Sequence, residues 1–252
     1  MSTLDPQGRP ALSLVFPARD EEPNLGALLD HALATAAQLA DDFEVLIVDD
    51  GSRDGGAGLV RVRAERDPRI RLISHAAARG YGAALRTGLR AARGELVFFS
   101  DADLQFDLGD LVHLLGHARD FDVVAGYRAP RRDPWTRRIL ARIWGALVRR
   151  LFALPVRDID CAFKLFQRRV LEAVPLASIG AFVNTELLVR VRSAGFRIHQ
   201  VPVTHRPRRH GRQSGARPRV ILRAVVELAS LYRELRRPQA PLAAEPQPSR
   251  AD

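Results

Sequence analysis

The sequence predicts an α/β protein with a mostly parallel central sheet covered by helices on both faces. Short apolar runs recur along the first half of the chain, and segments with helical periodicity separate them. The runs are apolar at nearly every position, which is typical of strands buried on both sides in a parallel sheet. With 252 residues, 46% of them hydrophobic, the chain is long enough for one large domain.

Five strands are predicted, each short and rich in β-branched or aromatic residues. In chain order they are ALSLVF (11–16), FEVLIV (43–48), IRLIS (70–74), ELVFF (95–99) and FDVVAG (121–126). Sheets of this kind bind ligands at the carboxyl ends of their strands. Acidic residues follow the first, second and fourth strands, so we expect the functional site at that edge.

Two amphipathic helices are predicted in the second half. WTRRILARIWGALVRRLF (135–152) places two Trp and several aliphatic residues on one face, and Arg138 and Arg142 on the other. This pattern fits a helix packed on the sheet, and it fits an interfacial helix on anionic lipid equally well. VILRAVVELASLYREL (220–235) is a second amphipathic helix that closes the folded part.

The charge of the chain indicates an anionic partner. The net charge is +10, and nearly all positive charge is arginine, since Lys164 is the only lysine. Arginines cluster in 128–157 and 205–219, which favours nucleic acid, anionic lipid or substrate phosphate groups. Cys161 is the only cysteine, which excludes an internal disulfide and fits a reducing cytosol. We expect neither a transmembrane span nor a signal peptide.

DADLQ, directly after the fourth strand, places oxygen ligands at alternate positions. In an extended segment Asp101, Asp103 and Gln105 point the same way. Two carboxylates that close repel each other unless a cation or proton lies between them. Mg²⁺ takes one or two protein carboxylates and leaves its other positions to water and phosphate. The pattern therefore favours a divalent metal, with helix-capping, turn and surface roles as alternatives.

Two further patterns are weaker. His113 and His117 lie four apart, but no glutamate stands beside the first and no third ligand is evident, so we expect surface histidines rather than a zinc site. Gly80 and Gly82 open a predicted helix. We expect tight-turn roles for them, with a secondary role in phosphate binding.

An ordered set of motifs carries a resemblance: PARDEEPNL, VDDGSRDG, ARGYGAALRTG, DADLQ, GYR and RDIDCAFKLF. Together they resemble the family 2 glycosyltransferases, in particular the branch of dolichol-phosphate mannosyltransferase and polyprenyl-phosphate glucosyltransferases. The resemblance covers residues 11–215. It implies a GT-A fold, a nucleotide-sugar donor, Mg²⁺ or Mn²⁺ at the DxD motif, and inversion at the anomeric carbon.

The resemblance also implies roles for single residues. Asp101, Asp103 and Gln105 would hold the metal, and Asp103 and Arg128 would be catalytic, with Arg128 facing the phosphate of donor or acceptor. The nucleotide would be bound by Pro17, Arg19, Glu21, Val48, Asp50, Asp101, Ala102 and Arg208. The chain is therefore expected to consist of an N-terminal extension (1–10), a GT-A domain (11–237) and a disordered tail (238–252). Within the GT-A domain we expect a nucleotide-binding half (11–126), an acceptor-binding half (127–217) and a C-terminal amphipathic helix (218–237).

The acceptor determines whether a base is needed. A saccharide hydroxyl requires a general base, for which Glu186 is the best candidate. A lipid phosphate monoester is already anionic and requires none. The Arg-rich segment 128–157 favours lipid phosphate, with Arg138 and Arg142 as its ligands.

We therefore predict an enzyme that transfers a hexose from UDP-glucose or GDP-mannose to polyprenyl phosphate, peripherally on the cytoplasmic face of the cell membrane. CAFKLF resembles the CGFKLF form seen in glucosyltransferase members, which implies UDP-glucose. The alternatives are a transferase with a saccharide acceptor, a nucleic-acid-binding module supported by net charge alone, and a catalytically silent nucleotide-sugar binder.

Overall fold

The computed structural model describes residues 11–130, 135–208 and 218–236. The predicted N-terminal extension and C-terminal tail lie outside the described residues. The strands are β1 (Leu12–Ala18), β2 (Phe43–Asp49), β3 (Ile70–Ser74), β4 (Leu96–Ser100), β5 (Val123–Arg128), β6 (Phe163–Gln167) and β7 (Ile198–Val203). The helices are α1 (Glu22–Leu39), α2 (Gly56–Arg66), α3 (Tyr81–Ala91), α4 (Leu111–Leu115), α5 (Trp135–Phe152), α6 (Arg168–Ala173), α7 (Val183–Ser193) and α8 (Pro218–Arg236).

The described strands form one sheet in the order β3-β2-β1-β4-β6-β5-β7. β1 pairs in parallel with β2 and β4, β2 with β3, and β5 with β7, whereas β6 runs antiparallel to both of its neighbours. The predicted α/β class with a mostly parallel sheet is confirmed. The five predicted strands are present with ends shifted by up to two residues; β6 and β7 were not predicted.

Aromatic residues fill the space on both faces of the sheet. Phe98 packs edge-on against Phe16 and Phe163, with ring centroids 6.4 and 4.6 Å away. The next residue, Phe99, stacks on Phe166 with centroids 6.0 Å apart. Successive strand residues point to opposite faces, so β4 is held from both sides and its carboxyl end is fixed in position.

The helices α5 and α8 pack together through one face and leave another exposed. Phe152 and Tyr232 make an edge contact with ring centroids 5.9 Å apart, and Val148, Leu228 and Leu231 are buried around them. Part of the apolar surface of α5 is therefore packed and part is exposed. Exposed apolar residues of the two helices are Trp135, Ile139, Leu140, Ile143, Leu147, Leu222, Val225, Val226 and Leu235. Within the described ranges, no helix combines the length and apolarity needed to cross a bilayer.

Candidate active site

The loops after β1 and β2 are joined by reciprocal hydrogen bonds. The Arg53 N–H donates to Asp20 Oδ1 at 2.8 Å. The Glu22 N–H donates to Asp54 Oδ2 at 2.9 Å, and the Gly55 N–H donates to Glu22 Oε2 at 2.8 Å. The two loops therefore form one continuous wall at the carboxyl edge of the sheet.

Predicted nucleotide-binding residues lie along this edge. Pro17 and Val48 are directly opposite each other in the β1–β2 register, and both are buried. Arg19 lies just beyond β1 with half of its side chain exposed. The structure thus brings these three residues to one edge, as the motif assignment expects.

Asp50 braces the loop between β3 and α3. Its carboxylate shares a 2.8 Å hydrogen bond with His75 Nδ1 and accepts the N–H groups of Arg79 and Gly80, each at 2.8 Å. Burial raises the pKa of Asp50, but these hydrogen bonds outweigh it and the pKa is lowered. Gly80 adopts φ 103°, and a Cβ there would lie 2.3 Å from the Ile179 carbonyl oxygen. The loop between β3 and α3 therefore requires glycine at this turn.

DADLQ forms a turn, because Leu104 adopts φ 58°. The prediction that Asp101, Asp103 and Gln105 point the same way in an extended segment is therefore wrong. Asp103 Oδ1 accepts the Gln105 N–H at 3.2 Å. The Gln105 side chain donates through Nε2 to the Arg206 carbonyl at 3.1 Å. The turn keeps both carboxylates together, while the Gln105 amide group is directed toward the segment after β7.

Asp101 and Asp103 form a carboxylate pair, in which Asp103 is buried and Asp101 is half-buried. Burial raises the pKa of Asp101 to about 7, the Asp103 charge adds to this, and the Tyr81 hydroxyl, Lys164 and Arg128 oppose it. Burial raises the pKa of Asp103 as well, and Arg208 opposes that rise. Asp101 Oδ1 is buried with no hydrogen-bond partner among the described residues. A divalent cation fits this arrangement, since it would occupy the unpartnered oxygen and remove the repulsion.

Any metal held here would need ligands from outside the protein as well. In the part of the chain that the structure describes, no group of three or more His, Cys, Asp or Glu side chains is placed to hold a metal. His113 and His117 therefore belong to no such group there. Two carboxylates with water and substrate phosphate are a common ligand set for Mg²⁺. Ala102, between the two carboxylates, is buried.

Arg208 closes the cleft between the first loop and DADLQ. Its Nη1 lies 3.4 Å from Asp103 Oδ2, and its Nη2 donates to Glu21 Oε1. Burial raises the pKa of Glu21, and hydrogen bonds from Asn24 and Arg208 only partly offset this. The structure therefore brings Arg208, Glu21 and Asp103 together from distant parts of the sequence. Residues 209–217, which follow Arg208, lie outside the described residues.

Arg128 at the end of β5 is held by an acid that motif assignment missed. Its Nε lies 2.7 Å from Asp158 Oδ2 and its Nη2 lies 2.8 Å from Asp158 Oδ1. Both side chains are less than 10% exposed. Such a two-pronged pair fixes the plane of the guanidinium. The signal for Asp158 was its place in RDIDCAFKLF, next to the Arg-rich segment.

Glu186 and the α5 arginines are not brought to the carboxylate pair in the same way. Glu186 accepts the N–H of Ser178 at 2.8 Å and Arg190 Nε at 2.9 Å. Asn184, two positions earlier on α7, contacts Lys164, which lies near Asp101. Because residues two apart on a helix point to roughly opposite sides, Glu186 points away from the carboxylate pair. Arg138 and Arg142 are exposed on α5.

The comparisons with known proteins agree with the motifs. The family model described as Glycosyl transferase family 2 matches residues 13–174. The chain belongs to glycosyltransferase family 2. The resemblance to family 2 drawn from the ordered motifs is confirmed, and relatives of the chain carry undecaprenyl phosphate in their names.

Two relatives are undecaprenyl-phosphate 4-deoxy-4-formamido-L-arabinose transferases. The protein of Pseudomonas aeruginosa is 33% identical over 205 residues, which make up 79% of this chain and 59% of the relative. That of Aeromonas hydrophila is 30% identical over 203 residues, or 79% of this chain and 61% of the relative. This family 2 chain thus spans less than two thirds of the length of either relative.

Solved structures share the fold. Mannosyl-3-phosphoglycerate synthase from Rubrobacter xylanophilus gives a TM-score of 0.72 at 21% identity, with 92% of this chain and 78% of that chain covered. Glucosyl-3-phosphoglycerate synthase from Mycobacterium tuberculosis, crystallised with Mn²⁺, UDP-glucose and phosphoglyceric acid, gives 0.68 at 22% identity, with 92% and 81% covered. At these identities the likeness establishes the predicted GT-A fold and nothing further.

Proposed function

We propose that this family 2 protein transfers a hexose from a nucleotide-sugar donor to polyprenyl phosphate, with inversion at the anomeric carbon. The observation that carries the proposal is the carboxylate pair of Asp101 and Asp103, with the buried Oδ1 atom of Asp101 unpartnered among the described residues, at the edge where the nucleotide loops meet. The names of the relatives support a polyprenyl-phosphate acceptor. CAFKLF, which resembles the CGFKLF form seen in glucosyltransferase members, supports UDP-glucose over GDP-mannose as donor.

The carboxylates and the arginines of the site have different roles. Asp101 and Asp103 would hold Mg²⁺ or Mn²⁺, which when bound neutralises charge on the departing diphosphate, whereas the amide of Gln105 is engaged with the Arg206 carbonyl. Arg208 lies against Asp103 and adds positive charge at the same place. Arg128, fixed by Asp158, binds the acceptor phosphate at the end of β5.

The acceptor phosphate attacks without a base. Its oxygen is already anionic at neutral pH, so one of its lone pairs forms the new bond to the anomeric carbon as the bond to the diphosphate breaks. Attack from the face opposite the diphosphate inverts that carbon. The hydroxyl alternative needs Glu186 as base, and its engagement with Ser178 and Arg190 supports the phosphate acceptor instead.

The acceptor is reached at a membrane surface. α5 and α8 present exposed apolar side chains on their outer faces, among them Trp135 and Leu222, which are 71% and 67% exposed. Arg138 and Arg142 are exposed on the same stretch of α5 and are suited to lipid phosphate groups. We propose peripheral docking on the anionic cytoplasmic face of the membrane.

The test is transfer in a defined vesicle. The protein is incubated with Mn²⁺ and radiolabelled UDP-glucose or GDP-mannose, together with vesicles that contain undecaprenyl phosphate or the dephosphorylated alcohol. Label is expected in the lipid phase with UDP-glucose and undecaprenyl phosphate only. Equal labelling of the alcohol, or labelling only of an added soluble saccharide, would refute the phosphate acceptor.

A further inference from the structure

Lys164 is buried in the middle of the sheet. It lies on β6, opposite Phe99 of β4 and Ala125 of β5, and is 0% exposed. Its Nζ is 5.5 Å from the centre of the Phe99 ring. A buried ammonium carries a large desolvation cost unless hydrogen bonds and opposite charges compensate it. The only lysine of the chain therefore requires a physical reason to be here.

The ammonium joins three parts of the fold. Nζ donates to the carbonyl of Ile159 at 3.3 Å and to the carbonyl of Cys161. It also donates to Asn184 Oδ1 on α7 at 3.1 Å. An ammonium has three N–H donors, and each has an acceptor here. Lys164 thus fixes the backbone of the segment 158–161, which has no regular secondary structure of its own.

That segment begins with the acid that orients Arg128. Asp158 holds the Arg128 guanidinium at two points, at 2.7 and 2.8 Å. Lys164, the segment and Arg128 are therefore linked through successive direct contacts. We infer that Lys164 is a positioning residue that holds segment 158–161 in place and, through Asp158, sets Arg128 for the acceptor phosphate. This inference deepens the proposed function and rests on it.

A charged group is needed at this position, and a residue of similar bulk would not serve. Asp101 and Asp158 are acids beside Lys164 and Arg128, so two cations face two anions in the interior. A neutral side chain would leave two backbone carbonyls without their donor and would remove a positive charge from beside Asp101 and Asp158. The segment would then be free to shift, and with it Arg128.

The test compares Lys164→Ala with Val170→Ala. Val170 is 0% exposed on α6, beyond the end of β6 that is opposite the site, so its truncation controls for loss of core packing. We expect Lys164→Ala to lower kcat/KM for polyprenyl phosphate by about 100-fold, because small displacements of a positioning group cost that much. The KM for the nucleotide sugar should change less than about threefold, and Val170→Ala should leave both constants near wild type.

Chemical rescue separates the charge from the packing. Propylammonium added to Lys164→Ala is expected to restore part of the acceptor kcat/KM, and the neutral isostere propanol is not. The inference would be overturned if Lys164→Ala raised the KM for the nucleotide sugar as much as it lowered kcat/KM for polyprenyl phosphate. Equal rescue by propanol would overturn it too. If Lys164→Ala is insoluble, Asn184→Ala, which removes one acceptor of Nζ, should give a smaller loss confined to the acceptor; no such loss would overturn the inference too.

A second readout does not depend on the acceptor. If the wild-type protein labels no polyprenyl phosphate, the proposed function fails, and amide hydrogen exchange then decides the role of Lys164. Exchange in residues 156–163 should be faster in Lys164→Ala than in wild type and unchanged in Val170→Ala. Equal exchange in all three proteins would show that Lys164 does not order the segment.

Discussion

Replacing Ile143 and Val226 by serine is expected to release the protein from anionic vesicles. Both side chains are 62% exposed, one on α5 and one on α8. Full burial of such a side chain stabilises by about 1.5–3 kcal/mol, so burial of the exposed part contributes about 1–2 kcal/mol each, or about 2–4 kcal/mol for the pair. Since each 1.4 kcal/mol is about tenfold in affinity, vesicle binding should weaken at least about 30-fold.

The assay is flotation with phosphatidylglycerol vesicles over a range of lipid concentrations. The matched control replaces Val62 and Val112 by serine, because these are each 48% exposed but lie on α2 and α4. The control should float like the wild type. The reasoning is refuted if the Ile143/Val226 variant keeps wild-type binding, or if the control loses as much.

Three further changes test the site and the fold. Asp103→Asn should abolish Mn²⁺ uptake in calorimetry with UDP present and lower transfer at least about 100-fold, and unchanged uptake would remove the metal assignment. Glu186→Gln should keep near-normal turnover but lower the melting temperature, since it weakens the contact with Arg190; a large loss of turnover in a stably folded variant would favour the hydroxyl acceptor. Burial raises the pKa of Glu44, but hydrogen bonds, the largest from Arg71, outweigh it and hold the pKa below its usual 4.5. Its stabilisation is therefore present above that pH and is lost as the pH falls below it, so urea unfolding of Glu44→Gln should depend less on pH between 5 and 3 than that of wild type, and identical slopes would contradict this.

The parts of the fold that local sequence determines were predictable. β1, β2 and β4 are buried at every position, and continuous apolar runs indicate such strands directly. β7 was missed because it reads IHQVPV, with a proline and polar residues that suit the edge of a sheet. In DADLQ the residue types were informative, but the turn depends on the positive φ of Leu104, which no pattern indicates.

Contacts between distant segments limited how much of the site could be predicted from the sequence. The motifs identified Arg128 but gave no partner for it, because Asp158 is 30 positions away and only the antiparallel return of β6 brings the two together. Arg208 and Glu21 are 187 positions apart and meet across the cleft. Residue types and strand ends thus predicted where the site lies, while the pairing of its charges required the fold.

The strand β6 was missed because of a charged residue that lies beside the site. FKLFQ would read as a buried apolar strand except for Lys164 at its second position, and a lysine in an otherwise apolar run is ordinarily a sign against burial. The fold tolerates it because its ammonium meets the carbonyls of segment 159–161 and Asn184, close to the acid of Asp101. The residue that hid the strand in the sequence is therefore buried beside the carboxylate pair, where an ordinary strand residue would supply no compensating charge. A charged residue that interrupts a strand-length apolar run next to an acidic strand end is thus a reason to look for a site.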